Sequence, residues 1–140
     1  MKVEISVPAG LMNCYKAGVE TRDLDQAILD THIWMEYRGA SSVRTGLQSI
    51  ARHASSLSST MTGEGRKAAQ DLSKYAKKVR ESVKGNGVIA KKKMRPLELK
   101  IFEMKSMAHF LSVSGKAQCG DEVSKGSLVK FRPPKLGKGQ

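Results

Sequence analysis

The chain has 140 residues, with 25 Lys and Arg against 13 Asp and Glu, which gives a net charge of +12. This length suffices for one domain with a buried core. No apolar run reaches the ~18–20 residues of a membrane span, which argues against an integral membrane protein. The first residues lack the apolar stretch of a secretory signal, so we expect a cytoplasmic protein or a component of a virion or nucleoprotein particle.

The positive charge is confined to one part of the chain. Through Gly63 there are six basic and six acidic residues, and the remainder holds 19 basic and seven acidic ones. Such asymmetry is typical of a protein whose second part faces a polyanion.

The first part of the chain predicts one strand and one helix. Residues Lys2–Val7 alternate apolar and polar side chains, as in a half-buried strand. Asp23 suits the N-cap of a helix over Leu24–Tyr37, which carries the only tryptophan, and Gly39 suits its C-terminal end.

Two further helices are predicted to form a central hairpin over residues 41–84. Ser41 or Ser42 caps the first, whose apolar residues fall on one face as far as Met61. The Thr62–Gly65 segment then serves as a hinge into a second helix with an apolar arc and a basic opposite face. Because the connection is short, we expect the two helices to pack antiparallel.

The segment after the hairpin is basic and then ambiguous. Gly85-Asn86-Gly87 ends the helix, and Val88–Arg95 is predicted to be an exposed connector. Leu97, Leu99 and Ile101 alternate as in a strand, but the same segment also has a helical stripe. Its length favours a helix from Pro96 to Phe110.

The last part of the chain predicts strands, so the expected fold class is α+β. Residues Leu111–Gln118 and Ser127–Arg132 are the two candidate strands of a C-terminal hairpin. Together with the N-terminal strand they would form a small antiparallel β element beside the helices. We predict one domain over residues 1–132 and a flexible basic tail over 133–140.

Basic residues are densest between Lys74 and Arg95, where nine Lys and Arg face a single acid, Glu81. Lys and Arg neutralise phosphates and release counterions, which gives salt-dependent binding with little sequence selectivity. The residues predicted to contact nucleic acid are Arg66, Lys67, Lys74, Lys77, Lys78, Lys84, Lys91, Lys92, Lys93, Arg95, Arg132 and Lys135.

The form of this contact is predicted to be with the sugar–phosphate backbone. Aromatic residues make up 5% of the chain, and Tyr75 alone lies inside the basic run, on its apolar stripe. That argues against stacking of bases on aromatic rings. Between the helix face and the connector, the helix face is the favoured surface because its apolar stripe holds it in place.

No catalytic motif is present, so we predict a non-enzymatic protein without metal or cofactor. His32, His53 and His109 lie on separate segments, and nucleophile-elbow, phosphate-loop and zinc-protease motifs are missing from the sequence. Asp23 and Asp25 are better explained as residues at a helix start than as metal ligands. Cys14 and Cys119 are expected to be two reduced thiols.

The leading function is therefore binding of nucleic acid, alone or within a nucleoprotein particle. The alternative is an assembly or inhibitor protein, of viral or other origin, that acts on an acidic protein partner or by homo-oligomerisation. A hydrolase built on His32 and nearby acids is a third hypothesis.

Overall fold

The computed structural model describes residues 9–118, and the side chains of residues 16–114. Within this range the chain forms four α-helices. They are α1 (Ala9–Tyr37), α2 (Ala40–Thr60), α3 (Gly63–Ser82) and α4 (Lys91–Gln118).

The helices form an antiparallel four-helix bundle. Each packs against two neighbours: α1 against α2 and α4, and α3 against α2 and α4, whereas α1 and α3 lie diagonally opposite. Two-residue turns join α1 to α2 and α2 to α3, and an eight-residue loop joins α3 to α4. Such short connections require neighbouring helices to run in opposite directions.

The core runs the length of the bundle and is aliphatic. Its side chains with little or no solvent exposure are Leu24, Val43, Leu47, Ile50, Leu57, Met61, Leu72, Met104, Met107 and Leu111. In α2 and α3 they recur every three or four residues, which puts them on one stripe of each helix. Met104, Met107 and Phe110 are buried, so the methionines of α4 belong to the core and not to an exposed surface.

The predicted α+β fold is wrong for the described residues, which contain helices and no strand. Leu111–Gln118, expected to be a strand, is the last part of α4. Leu111 is fully buried one turn after Met107 and Ala108, so it continues their stripe, and this packing overrides the β propensity of Val113. The strands predicted at Lys2–Val7 and Ser127–Arg132 lie outside the described residues.

Several helix boundaries also differ from the prediction. α1 begins at Ala9, so Asp23 lies inside a helix and is not its N-cap. The N-cap of α2 is Gly39, with φ at +89°, and neither Ser41 nor Ser42. α4 begins at Lys91, so Lys91–Arg95 is helical and only residues 83–90 form a loop. The central hairpin of α2 and α3 is confirmed, with its turn shortened to residues 61–62.

Candidate nucleic-acid interface

One end of the bundle concentrates positive charge. It comprises the end of α1, the start of α2, the end of α3, the following loop and the start of α4, and we call it the basic end. Within residues 36–44 and 80–95 it holds eight basic residues and two acidic ones. The basic residues are Arg38, Arg44, Arg80, Lys84, Lys91, Lys92, Lys93 and Arg95.

The loop at the basic end is anchored by α2. The Arg44 guanidinium donates hydrogen bonds to the carbonyls of Val83 (3.3 Å) and Gly85 and to Asn86 Oδ1 (2.8 Å). The backbone N–H of Ala40 donates to the Gly87 carbonyl at 2.9 Å. The segment from 83 to 87, expected to be a simple helix stop before a free connector, is therefore held against the first turn of α2.

Four lysines surround a pocket beside this loop. The pocket, of about 300 Å³, lies between the end of α3 and the start of α4, and its lining contains no acidic residue. Lys84, Lys92, Lys93 and Lys100 line it, together with apolar residues that include Val83, Ile89 and Leu97. Lys84, Lys92 and Lys93 are exposed. Together these features provide convergent cationic donors above an apolar floor.

The fold separates the predicted contact residues into two groups. Lys74, Lys77 and Lys78 are exposed on the outward side of α3, which leads to the basic end. Arg66 and Lys67 lie at the opposite end of α3, and Arg66 Nε donates to the carbonyls of Ser58 (3.0 Å) and Met61 (2.8 Å). The Arg66 side chain therefore caps carbonyl groups at the C-terminal end of α2. Arg132 and Lys135 lie outside the described residues.

Few of these cations are neutralised within the protein. Among the described side chains, one Lys or Arg forms an ion pair with a carboxylate, Arg95 with Glu98, and His53 hydrogen-bonds Glu20. Arg95 is therefore the one predicted contact residue in this range with a carboxylate partner within 4 Å. The other predicted contact residues among the described side chains have no carboxylate within 4 Å, so their charges are available to phosphates.

A second cationic groove crosses the outward side of α2 near the same end. We call it the Trp34 groove; its volume is about 460 Å³ and none of its lining residues is acidic. It is lined by Arg44, Arg52 and Arg80, by Trp34, and by polar residues that include Thr45 and Gln48. The guanidinium carbon of Arg38 stands 5.7 Å from the centre of the Trp34 ring.

A different groove, of about 500 Å³, lies between α1 and α4 and is partly apolar. Leu29 and Phe102 line it and remain 52% and 65% exposed. His32 and His109 lie in the same groove with Asp25. Desolvation raises the pKa of the Asp25 carboxyl, while the charges of His109 and Lys105 act in the opposite direction.

One cluster of side chains could hold a divalent cation. The ligand atoms of Glu20, Asp23 and His53 all lie within 4.8 Å of one another, and carboxylate oxygens with an imidazole nitrogen form a set that binds zinc. His53 Nδ1 lies 3.1 Å from Glu20 Oε2, so a hydrogen bond between α1 and α2 already accounts for the proximity of these two residues. Asp25 and Asp30 are not part of this cluster.

Sequence reasoning missed the contribution of α2 to the positive surface. Arg44 and Arg52 belong to the part of the chain whose net charge is zero, so a count of charges along the chain assigns them no weight. The net charge of the α2 segment by itself could have revealed them, because α2 contains two arginines and no acidic residue. The acids that balance them are in α1, which holds five acids and two basic residues.

Comparison with known proteins found no family model, no curated protein and no solved structure that matches this chain. Among the described helices none has a stretch long and apolar enough to cross a membrane.

Proposed function

We propose that the protein binds nucleic acid through backbone phosphates, without catalysis, as a free binding protein or as a subunit of a nucleoprotein particle. The observation that carries the proposal is the basic end: eight cations against two acids within residues 36–44 and 80–95. Of these eight, Arg95 alone has a carboxylate partner among the described side chains. The outward lysines of α3 extend the same surface.

The lysines at the start of α4 give the basic end its densest positive charge. Lys91, Lys92 and Lys93 occupy the first turn of this helix, where their ammonium groups repel one another and the partial positive charge of its first N–H groups. A phosphate bound at this turn would relieve both repulsions. The partial charges of the helix ends themselves largely cancel, because the N-termini of α2 and α4 and the C-termini of α1 and α3 lie at the same end of the bundle.

The test is an anisotropy titration of labelled duplex and single-stranded DNA and RNA over a range of salt concentrations. We expect log affinity to fall linearly with log salt, with a slope of about −0.9 per phosphate contact on duplex DNA. Replacement of Lys91, Lys92 and Lys93 by Ala should lower affinity and make the slope shallower by up to about 3.

A matched control keeps the same loss of charge at another place. Lys16, Arg22 and Lys105 are exposed and lie away from the basic end, so their joint replacement by Ala removes three cations without touching it. We expect this control to lose much less affinity than the first triple variant. Equal losses would mean that only net charge matters, and no binding at low salt would refute the proposed function.

A second candidate function is protein–protein assembly, including homo-oligomerisation. The groove between α1 and α4 favours it, since Leu29 and Phe102 are exposed there and Ile33 and Tyr37 continue the apolar row along α1 at 43% and 79% exposure. Light scattering tests self-assembly: a dimer that dissociates when Leu29 and Phe102 are changed to Ser supports it. A monomer at all concentrations contradicts self-assembly.

A further inference from the structure

We propose that the Trp34 groove binds single-stranded nucleic acid, with Arg52 and Arg80 on phosphates and Trp34 against an unpaired base. This deepens the proposed function, on which it rests, by naming the form of nucleic acid that this surface selects. The sequence alone separates these residues, because Trp34, Arg52 and Arg80 belong to three different helices. The bundle brings all three to the lining of one groove.

The three arginines that line the groove differ in their hydrogen bonds. Arg44 is bonded to the carbonyls and side chain of the following loop, so its guanidinium is largely occupied. Arg52 and Arg80 are exposed and have no carboxylate within ion-pair distance among the described side chains. A guanidinium offers donors in a planar fork that matches a phosphate. Arg52 and Arg80 are therefore the two phosphate ligands of the groove.

The remaining lining suits a nucleotide better than a bare ion. Thr45 and Gln48 stand one turn apart on α2 and present a hydroxyl and an amide, which can bond sugar and base edges. Trp34 is half-buried against the core, and one part of its ring lines the groove. The Arg38 guanidinium lies over the ring, 5.7 Å from its centre, so a base stacks on this indole by displacing Arg38.

This lining selects a single strand. In a duplex the base faces are covered by their stacked neighbours, whereas an unpaired strand can turn a base outward onto an aromatic ring. Duplex binding then depends on the lysines of the basic end, and binding of single strands uses the Trp34 groove in addition. Stacking on an aromatic ring contributes about five- to 150-fold in affinity per base.

The chain contains one tryptophan, so its tryptophan fluorescence comes from Trp34 in this groove. The experiment titrates the full-length protein with a 12-nucleotide single-stranded DNA, the RNA of the same sequence, and the corresponding duplex, and records Trp fluorescence together with anisotropy of the labelled strand. We expect saturable quenching by both single strands and binding of the duplex with little quenching.

Two variants separate the groove from general charge. Arg52→Ala with Arg80→Ala should lower single-strand affinity about tenfold or more and make its salt slope shallower by about 1.4, and should lower duplex affinity by less, because Arg80 is also one of the eight cations of the basic end. Arg22→Ala with Lys105→Ala removes the same charge elsewhere and should have a small effect on both. Circular dichroism verifies that all variants keep their helices.

The possible results distinguish the groove from the proposed function. The Trp34 groove is refuted as a binding site, with the proposed function unaffected, if single strands bind without quenching Trp34 fluorescence. The same follows if the Arg52/Arg80 variant loses equal affinity for duplex and single strand. Absence of binding to every nucleic acid at low salt would overturn the proposed function itself. Equal quenching by the duplex would show that the groove does not select strands, which also refutes the inference.

Discussion

The closest approach of α1 and α2 gives a sharp test of the bundle. A Cβ atom placed at Gly46 would lie 2.1 Å from Thr31 Oγ1, 3.0 Å from its Cβ and 3.2 Å from its Cγ2. Thr31 is fully buried, and its hydroxyl donates to the Ala27 carbonyl at 2.7 Å. A rotation of the Thr31 side chain away from this Cβ would therefore break a buried hydrogen bond. Gly46→Ala should force α1 and α2 apart or displace this hydroxyl.

The expected change in the free energy of unfolding is the balance of one stabilising effect and two destabilising effects. Ala is favoured over Gly in a helix by about 1 kcal/mol. Overpacking in a core costs about 1–3 kcal/mol, and a buried hydroxyl that loses its partner costs about 1–3 kcal/mol more. We expect Gly46→Ala to lower the free energy of unfolding by about 2 kcal/mol, even though Ala has a higher helix propensity than Gly.

Urea denaturation followed by circular dichroism measures this change. Gly18→Ala is the matched control, because Gly18 is also helical and a Cβ there meets no atom within 4 Å, so that variant should gain up to about 1 kcal/mol. Thr31→Ala combined with Gly46→Ala should recover part of the loss, since it removes the clashing Oγ1 and Cγ2 atoms. If Gly46→Ala stabilises the protein as much as Gly18→Ala does, the close packing of α1 and α2 is refuted.

Three other substitutions test the basic end and the packing of α3 on α4. Arg44→Ala should release the 83–90 loop, raise its hydrogen exchange and weaken nucleic-acid binding, because charged hydrogen bonds of about 1.5–3 kcal/mol are lost. Gly39→Ala should destabilise by more than 1 kcal/mol in urea denaturation, since φ is +89° and a Cβ would lie 2.7 Å from a carbonyl oxygen of that loop. Tyr75→Phe should cost about 1 kcal/mol in the same assay, because the Tyr75 hydroxyl donates to Glu103.

Tyr75 also gives a pH dependence with a definite sign. Burial, then the hydrogen bond and charge of Glu103, raise the pKa of Tyr75 above its ordinary value of 10.0. Its contribution to stability is therefore complete below pH 10.0 and is lost as pH rises toward the folded-state pKa. The stability difference between the wild type and Tyr75→Phe should shrink above that pH; a constant difference would show that Tyr75 titrates normally.

For each of the two substitutions at the basic end, one result would contradict the expected role of the residue. Unchanged exchange in the 83–90 loop of Arg44→Ala would mean that the loop is held by its backbone bonds alone. A Gly39→Ala variant as stable as the wild type would show that the α1–α2 turn can adopt another conformation. The contact between this turn and the 83–90 loop would then not be needed for stability.

The sequence predicted the central hairpin because local rules agree there. Apolar spacing, a short glycine-containing turn and a glycine stop all indicate α2 and α3, and both helices are present. α1 was predicted only from Leu24 onward, since the residues before it carry a weaker apolar period. For Leu111–Gln118 the prediction of a strand is wrong, because Leu111 continues the apolar stripe of α4 into the core and the helix extends to Gln118.

The site was less predictable than the fold because it depends on proximity across helices. The lysines of α3 and α4 are evident as a charge run. Trp34, Arg44 and Arg52 lie in a neutral segment, and only the packing of α1, α2 and α3 places them beside Arg80. Arg66, by contrast, had the right charge for a contact residue but is bonded to the end of α2. Composition reveals how much charge a chain carries, and tertiary structure decides which cations are available.

The diagonal placement of α1 and α3 makes the molecule an electric dipole. α1 holds five acids and two basic residues, and α3 holds six basic residues and three acids. Because these helices lie on opposite edges of the bundle, a polyanion exerts a torque on the protein within a Debye length, about 10 Å at 0.1 M salt. The protein would then arrive with α3 toward the strand and α1 away from it. A strand covered by such molecules would present the acidic α1 side outward, although each bound molecule, with a net charge of +12, makes the net charge of the complex less negative.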